Sequence, residues 1–276
     1  MNLARTIRKI GKKTGVLTTQ RFVIMCHQRS GSNMFTSILD QHADIKFYGQ
    51  LFKDDPQYRQ KINRMGIIPF SGTLFDDEIG SRNRFDELEH QPNQRESRNT
   101  KAFVDDCFQR FNQHTQGTCI GVKFHGGTLF REEIESVFLN GNYKVILLRR
   151  ENLLVAAISW YQARELDQWR RDAKDKVEKP KMTMDIDTLA WFIENTRQDI
   201  ALWKQLIEKN GINHLELTYE EMVQPGFSME PVWQHLGIQN ITSTPPKTKK
   251  LIKKYDHITN LEEIRGTLAS DENGYI

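Results

Sequence analysis

Two rhythms of apolar residues alternate along the chain. Short continuous apolar runs at Val23 to Cys26, Thr118 to Phe124 and Tyr143 to Leu148 predict buried strands, and Ile45 to Tyr48 and His214 to Tyr219 predict two more. Between them the apolar residues fall at helical spacing. Met34, Phe35, Ile38 and Leu39 form one such face; Phe103, Val104, Cys107, Phe108 and Phe111 form a second; and Leu153, Leu154, Ala157, Ile158 and Tyr161 a third. A helix is expected from about Arg131 to Leu139. A longer one, from Leu189 to Ile207, carries Trp191, Phe192, Ile200 and Trp203 and stops at Gly211, the residue type that caps a helix C-terminus. Strands alternating with helices predict an α/β fold with a central parallel sheet flanked by helices.

The rhythm fails in two places. From about 53 to 99, Gly66, Pro69, Gly72, Gly80 and Pro92 lie among many charges, which predicts an irregular insertion after a strand end, where α/β proteins carry lids over their sites. A second polar stretch, about 165–185, holds Trp169 and is the other expected insertion. Residues 1–20 pair Arg5, Arg8, Lys9, Lys12 and Lys13 with Leu3, Ile7 and Ile10 and read as a basic, solvated leader before a single domain over 21–276.

Composition narrows the classes. A net charge of +3 over 276 residues is too balanced for nucleic acid to be the main partner, although a locally basic cleft would serve a small anion. The three cysteines, Cys26, Cys107 and Cys119, have no C-x-x-C spacing, so neither a disulfide framework nor a metal site is expected, and a reducing, cytoplasmic setting is. No apolar run is long enough for stable membrane insertion. Oligomeric state leaves no sequence signal.

The chemistry concentrates where the first strand meets the first helix. Arg29, Ser30, Gly31 and Ser32 form a small polar turn, and Asn33 and Met34 open the helix, so its N-terminus faces back toward the turn as a site for an anion. The arrangement is P-loop-like, but the Gly-Lys-Ser/Thr of a nucleotide P-loop is missing.

The Arg29-Ser30-Gly31-Ser32 turn resembles the 5′-phosphosulfate loop of sulfotransferases that use 3′-phosphoadenosine 5′-phosphosulfate (PAPS). Leu39 to Ile45 and Phe47 to Phe52 are similar to that family's continuation, a His-Pro-Asp turn followed by Gly-Glu-Leu-Phe. A second stretch, Leu148-Arg149-Arg150-Glu151-Asn152-Leu153-Leu154 with Ser159, resembles the family's 3′-phosphate site. Arg150 and Ser159 lie about two and a half helical turns apart. The family's usual spacing is one residue shorter, which leaves either Arg149 or Arg150 as the gripping residue. Leu217 to Pro225 and Val232 to Gly237 are similar to its strand-helix segment, with Tyr219 and Glu220 as scaffold. The lysines before Asp256 resemble a C-terminal segment that folds over the donor, with Lys249 or Lys250 as phosphate contacts.

The resemblance implies transfer of a sulfuryl group from PAPS to a small-molecule acceptor, with 3′-phosphoadenosine 5′-phosphate (PAP) as product. The double arginine with Asn-Leu-Leu is most similar to the bacterial branch that includes Nod-factor and trehalose sulfotransferases. Related cyanobacterial tailoring enzymes sulfate guanidinium toxins of the saxitoxin type. A hydroxyl or an amine of a sugar or natural product is therefore the implied acceptor, and acidic Asp54, Asp55, Asp76 and Asp77 in the first insertion would suit a cationic one. The departure is Gln50, which stands where the family has a glutamate base and cannot take a proton at neutral pH. His125, at a strand end, and His27, beside the loop, are the replacement bases, since an imidazole near its ordinary pKa of ~6.5 suits the task. His42 reads as a local cap. Two other readings remain open at this point: a P-loop-type nucleotide kinase, and a catalytically silent PAPS- or glycan-binding protein.

Overall fold

The computed structural model describes residues 19–51, 64–65, 100–115, 118–126, 134–137, 142–169, 180–238 and 255–276. The basic leader, most of the first insertion, residues 170–179 of the second, and Lys249 and Lys250 lie outside these. Five strands, β1 (Gln20–Cys26), β2 (Ile45–Gln50), β3 (Cys119–His125), β4 (Lys144–Arg149) and β5 (His214–Thr218), form one sheet in the order β2-β3-β1-β4-β5. The first strand is central and later strands add on both sides. In open α/β sheets of this kind, ligands bind beyond the strand carboxyl ends where the order switches direction. Here that is the turn after β1.

The described chain falls into two compact units, one reaching through Val23 and resuming at Ala43–Tyr143, the other made of Ile24–His42 and Lys144–Ile276. In the first, β2 and β3 pair in parallel from Ile45 opposite Cys119, and helix α2 (Thr100–His114) buries Val104, Cys107, Phe108 and Phe111. Tyr48 stacks on Phe111 with ring centroids 3.9 Å apart, and its hydroxyl donates to the Phe111 carbonyl at 3.2 Å. The Phe22 ring lies directly over Gly121, where a Cβ would come within 2.0 Å of it. β3 is therefore built around a missing side chain.

The second unit contains α1 (Ser32–Leu39), α3 (Leu153–Glu165), α4 (Ile186–Lys209), α5 (Tyr219–Met222), α6 (Glu230–Leu236) and α7 (Leu261–Leu268). β4 and β5 pair in parallel from Val145 opposite His214 to Arg149 opposite Thr218. Helix α3 buries Leu153, Leu154, Ala156, Ala157, Ile158 and Trp160, nearly all round its axis, because α4 and the C-terminal segment cover it. The α4 helix begins three residues before its expected start, since Asp185 accepts from the Thr188 N–H at 3.2 Å as an N-cap. Its packing stripe runs through Leu189, Phe192, Ile193, Trp203 and Ile207, whereas Trp191 and Ile200 are only half-buried. His42 is buried against Trp233, with ring centroids 5.2 Å apart. All three cysteines are buried thiols.

The C-terminal segment is pinned to the start of α3. Asn152 caps that helix by accepting from Val155 N–H at 2.9 Å, and its amide donates to the Tyr275 carbonyl at 2.8 Å. Leu154 N–H donates to the Asn273 carbonyl at 2.9 Å. Asn260 clasps Met184 from both sides, accepting from its N–H at 3.0 Å and donating to its carbonyl at 2.8 Å.

Candidate active site

The turn after β1 is bent by two left-handed residues, Arg29 at φ 63° and Gly31 at φ 83°. Glycine adopts this conformation freely, whereas a non-glycine residue there costs roughly 1–2 kcal/mol and persists only where its surroundings hold it. Gly31 is the N-cap of α1 and has no side chain to close off the helix end. Tyr219 of α5 closes from the side, leaving only 2.5 Å between its Cδ2 and a Cβ built on Gly31. Ser30 is buried and fixes the turn from within, its hydroxyl donating to the His27 carbonyl at 2.8 Å.

Both expected anion motifs meet at Arg29. Its Nε donates to Ser159 Oγ at 3.0 Å and its Nη1 to the Trp169 carbonyl at 3.1 Å. Arg150 reaches the same turn, its Nη1 donating to the Arg29 carbonyl at 3.2 Å. The Arg150 side chain is only 10% exposed; its guanidinium lies 4.5 Å over the Tyr219 ring, and Nε is 3.7 Å from Glu220 Oε1. That Nε is buried with no hydrogen-bond partner among the described residues. Burial pulls the Arg150 pKa down, against the upward pull of Tyr219, Glu220 and Tyr255. Removing a guanidinium from water without a full set of acceptors is costly, and Arg150 carries that cost here.

Arg149 is engaged elsewhere. It is held by Glu216 of β5, which also accepts from Lys204 Nζ at 3.1 Å, and it lies 3.5 Å from Glu151. Burial pushes the Glu216 carboxyl up, but Arg149 and Lys204 together bring it below its ordinary value. Asn33 is exposed and Met34 half-buried on the first turn of α1.

His27 is almost enclosed. Its ring stacks on Trp203 at 4.8 Å, Nε2 lies 3.5 Å from Asp199 Oδ2, and burial lowers its pKa from 6.5 to about 3. At 3.5 Å the carboxylate is too far to make a hydrogen bond, and desolvation decides the protonation state. His27 is neutral at any ordinary pH.

Gln50 and His125 belong to the other unit. A break in register between Phe47 and Gln50, with Gly49 at φ 92°, brings Gln50 opposite Lys123 at the end of β2. His125 ends β3 two residues further on, half-buried on the same side of the strand as Lys123. Lys123 belongs to no motif in the sequence, yet it is only 6% exposed. A lysine inside an otherwise apolar strand is the signal that could have found it.

A central five-stranded sheet flanked by helices, with a tight turn between its central first strand and the first helix, defines an α/β fold. The profile of the Stf0 sulphotransferase family matches residues 21–260, and the chain belongs to that family of sulfotransferase enzymes. A crystal structure of sulfotransferase STF9 from Mycobacterium avium is similar over 85% of this chain and 68% of that one, with 11% identity and a TM-score of 0.51. A sulfotransferase from Alicyclobacillus acidocaldarius matches with 14% identity over 92% and 93% of the two chains, TM-score 0.47. The sulfotransferase domain of the Synechococcus PCC 7002 olefin synthase matches with 13% identity over 81% and 75%, TM-score 0.44. No curated protein sequence matches. Among the described residues, no helix is long and apolar enough to cross a membrane, and no cluster of histidine, cysteine and carboxylate side chains could hold a metal ion.

Proposed function

We propose that this sulfotransferase takes PAPS as donor and sulfates a hydroxyl or amine of a small polar acceptor, releasing PAP. The observation that carries this reading is Arg150: a nearly buried guanidinium with an unsatisfied Nε, bonded to the same turn whose Arg29 bonds Ser159. Two cationic groups and a serine joined in this way suit a ligand with phosphates at both ends. Arg150, not Arg149, is then the 3′-phosphate residue, because Arg149 is occupied by Glu216.

The chemistry follows from what these groups offer. Attack by the acceptor forms its bond to sulfur as the bond from sulfur to the 5′-phosphate oxygen breaks, and the acceptor proton passes to a base. Arg29, Ser30, Gly31, Ser32 and the first turn of α1, with Asn33 and Met34, neutralise the charge that develops on the departing phosphate. A base with a pKa near 3 has little driving force, so His27 supports the loop instead. His125 is the proposed base, with Lys123 as a nearby cation and Gln50 orienting the acceptor by hydrogen bonds. A sugar or a cationic natural product would each fit; Lys249 and Lys250 remain proposed phosphate contacts.

The test is direct. Purified protein with PAPS and a panel of sugars, amines and guanidinium compounds should yield a sulfated product detectable by mass spectrometry, and Arg29→Ala should abolish it. Wild-type turnover in Arg29→Ala would remove the loop from the mechanism. Tight PAP binding with no product from any acceptor would favour the silent binder, and ATP preferred over PAP would favour the kinase.

A further inference from the structure

The donor residues are held by a part of the chain that carries no anion-binding motif. The first turn of α5 places Tyr219 and Glu220 side by side, and its start is fixed by a capping box: Glu221 N–H donates to Thr218 Oγ1 at 3.1 Å, while Thr218 N–H donates to Glu221 Oε2 at 2.8 Å. From this anchored turn the Tyr219 ring reaches two places, lying against Gly31 of the loop and under the guanidinium of Arg150. Glu220 uses both carboxylate oxygens. Oε2 accepts from Glu151 N–H at 2.9 Å and Oε1 from Asn152 N–H at 3.3 Å, and Oε1 also faces Arg150 Nε at 3.7 Å.

A free arginine side chain loses rotamer entropy when it is fixed. A ligand that had to order it would bind correspondingly more weakly. Here the ring beneath and the carboxylate beside it order Arg150 in advance, and the same carboxylate fixes the backbone from which Arg150 extends. The Glu220 carboxylate is shared with two backbone donors, and Arg150 Nε stays beyond hydrogen-bond distance of it, so that donor is not used up by Glu220.

Resting on the donor assignment above, we propose that Glu220, with Tyr219, is the positioning residue that sets the preference for a 3′-phosphate, by holding Arg150 and the Glu151–Asn152 turn in register with the loop. Neither residue need touch the reacting atoms.

Calorimetric titration with PAP and with adenosine 5′-monophosphate, which lacks the 3′-phosphate, reads this preference as a ratio. In Glu220→Gln the ratio should fall by roughly tenfold, one charge-assisted contact's worth, with 5′-monophosphate affinity nearly unchanged. Tyr219→Phe should keep the ratio and Tyr219→Leu should lower it, since the ring and not the hydroxyl faces Arg150. A ratio unchanged in Glu220→Gln, or the two ligands weakening in parallel, overturns the inference. Glu220→Gln preserves shape and one acceptor oxygen, so the comparison survives even if Glu220→Ala does not fold. A wild-type protein that binds both ligands alike would instead overturn the donor assignment and the inference with it.

Discussion

His27 shows what burial does to a histidine beside the loop. Its sequence position beside the loop suggests a base, but stacking on Trp203 and enclosure hold it neutral, with a pKa of about 3 against 6.5 in the unfolded chain. Between those values the unfolded state binds a proton that the folded state does not, so stability is complete above about pH 6.5 and declines as pH falls toward 3. At ~1.4 kcal/mol per pKa unit, the loss across this window is on the order of a few kcal/mol. His27→Phe, which keeps the stacking, should flatten the urea midpoint against pH between about 6.5 and 4; an unaltered slope would show that other groups govern acid sensitivity. The basis of the proposed choice of Arg150 over Arg149 was likewise hidden from the sequence. It turns on Glu216, 67 residues from Arg149, which only strand pairing brings alongside.

At the scale of elements, the strands and helices were legible because each carries its own periodicity, and the loop because a strand, a small polar turn and a helix follow one another directly. What did not show was the role of α5. Tyr219 was expected to end a strand, whereas the strand stops at Thr218 and the capping box starts a helix. The Thr-x-x-Glu signal was present in the sequence, but its purpose depends on Glu151 and Asn152, which lie 69 and 68 residues away. Gly121 is a second element-level device, giving up its side chain so that Phe22 can lie flat on β3. Gly121→Ala should destabilise the protein by about 1–3 kcal/mol, the usual penalty of overpacking, measurable as a lower denaturation midpoint. Adding Phe22→Leu should restore part of it, and a purely additive loss would mean that the two side chains do not compete.

Across the whole molecule, the proposed donor groups Arg29, Arg150 and Ser159 belong to one compact unit, while Gln50, Lys123 and His125 belong to the other. The proposed donor contacts and the proposed base can therefore be tested by separate substitutions. His125→Ala should reduce kcat by roughly 10²–10⁴-fold, the range for losing a general base, with PAP affinity unchanged by calorimetry. A parallel loss of PAP affinity would place His125 in donor binding instead. The irregular segment where the acceptor contacts were expected has no repeating pattern, so the sequence gives it no more definition than an insertion.

The buried thiols add a practical handle. Cys107 and Cys119 lie in the unit of His125, and Cys26, one residue before His27, lies in the unit of the loop. Burial raises the Cys107 pKa far above its usual range, and none of the three is open to reagent in the native fold. Each can then be alkylated only when its surroundings open, at a rate set by local unfolding. Peptide mapping of a slow alkylation time course would therefore time the opening around each cysteine. Saturating PAP should slow labelling of Cys26 more than of Cys107 or Cys119.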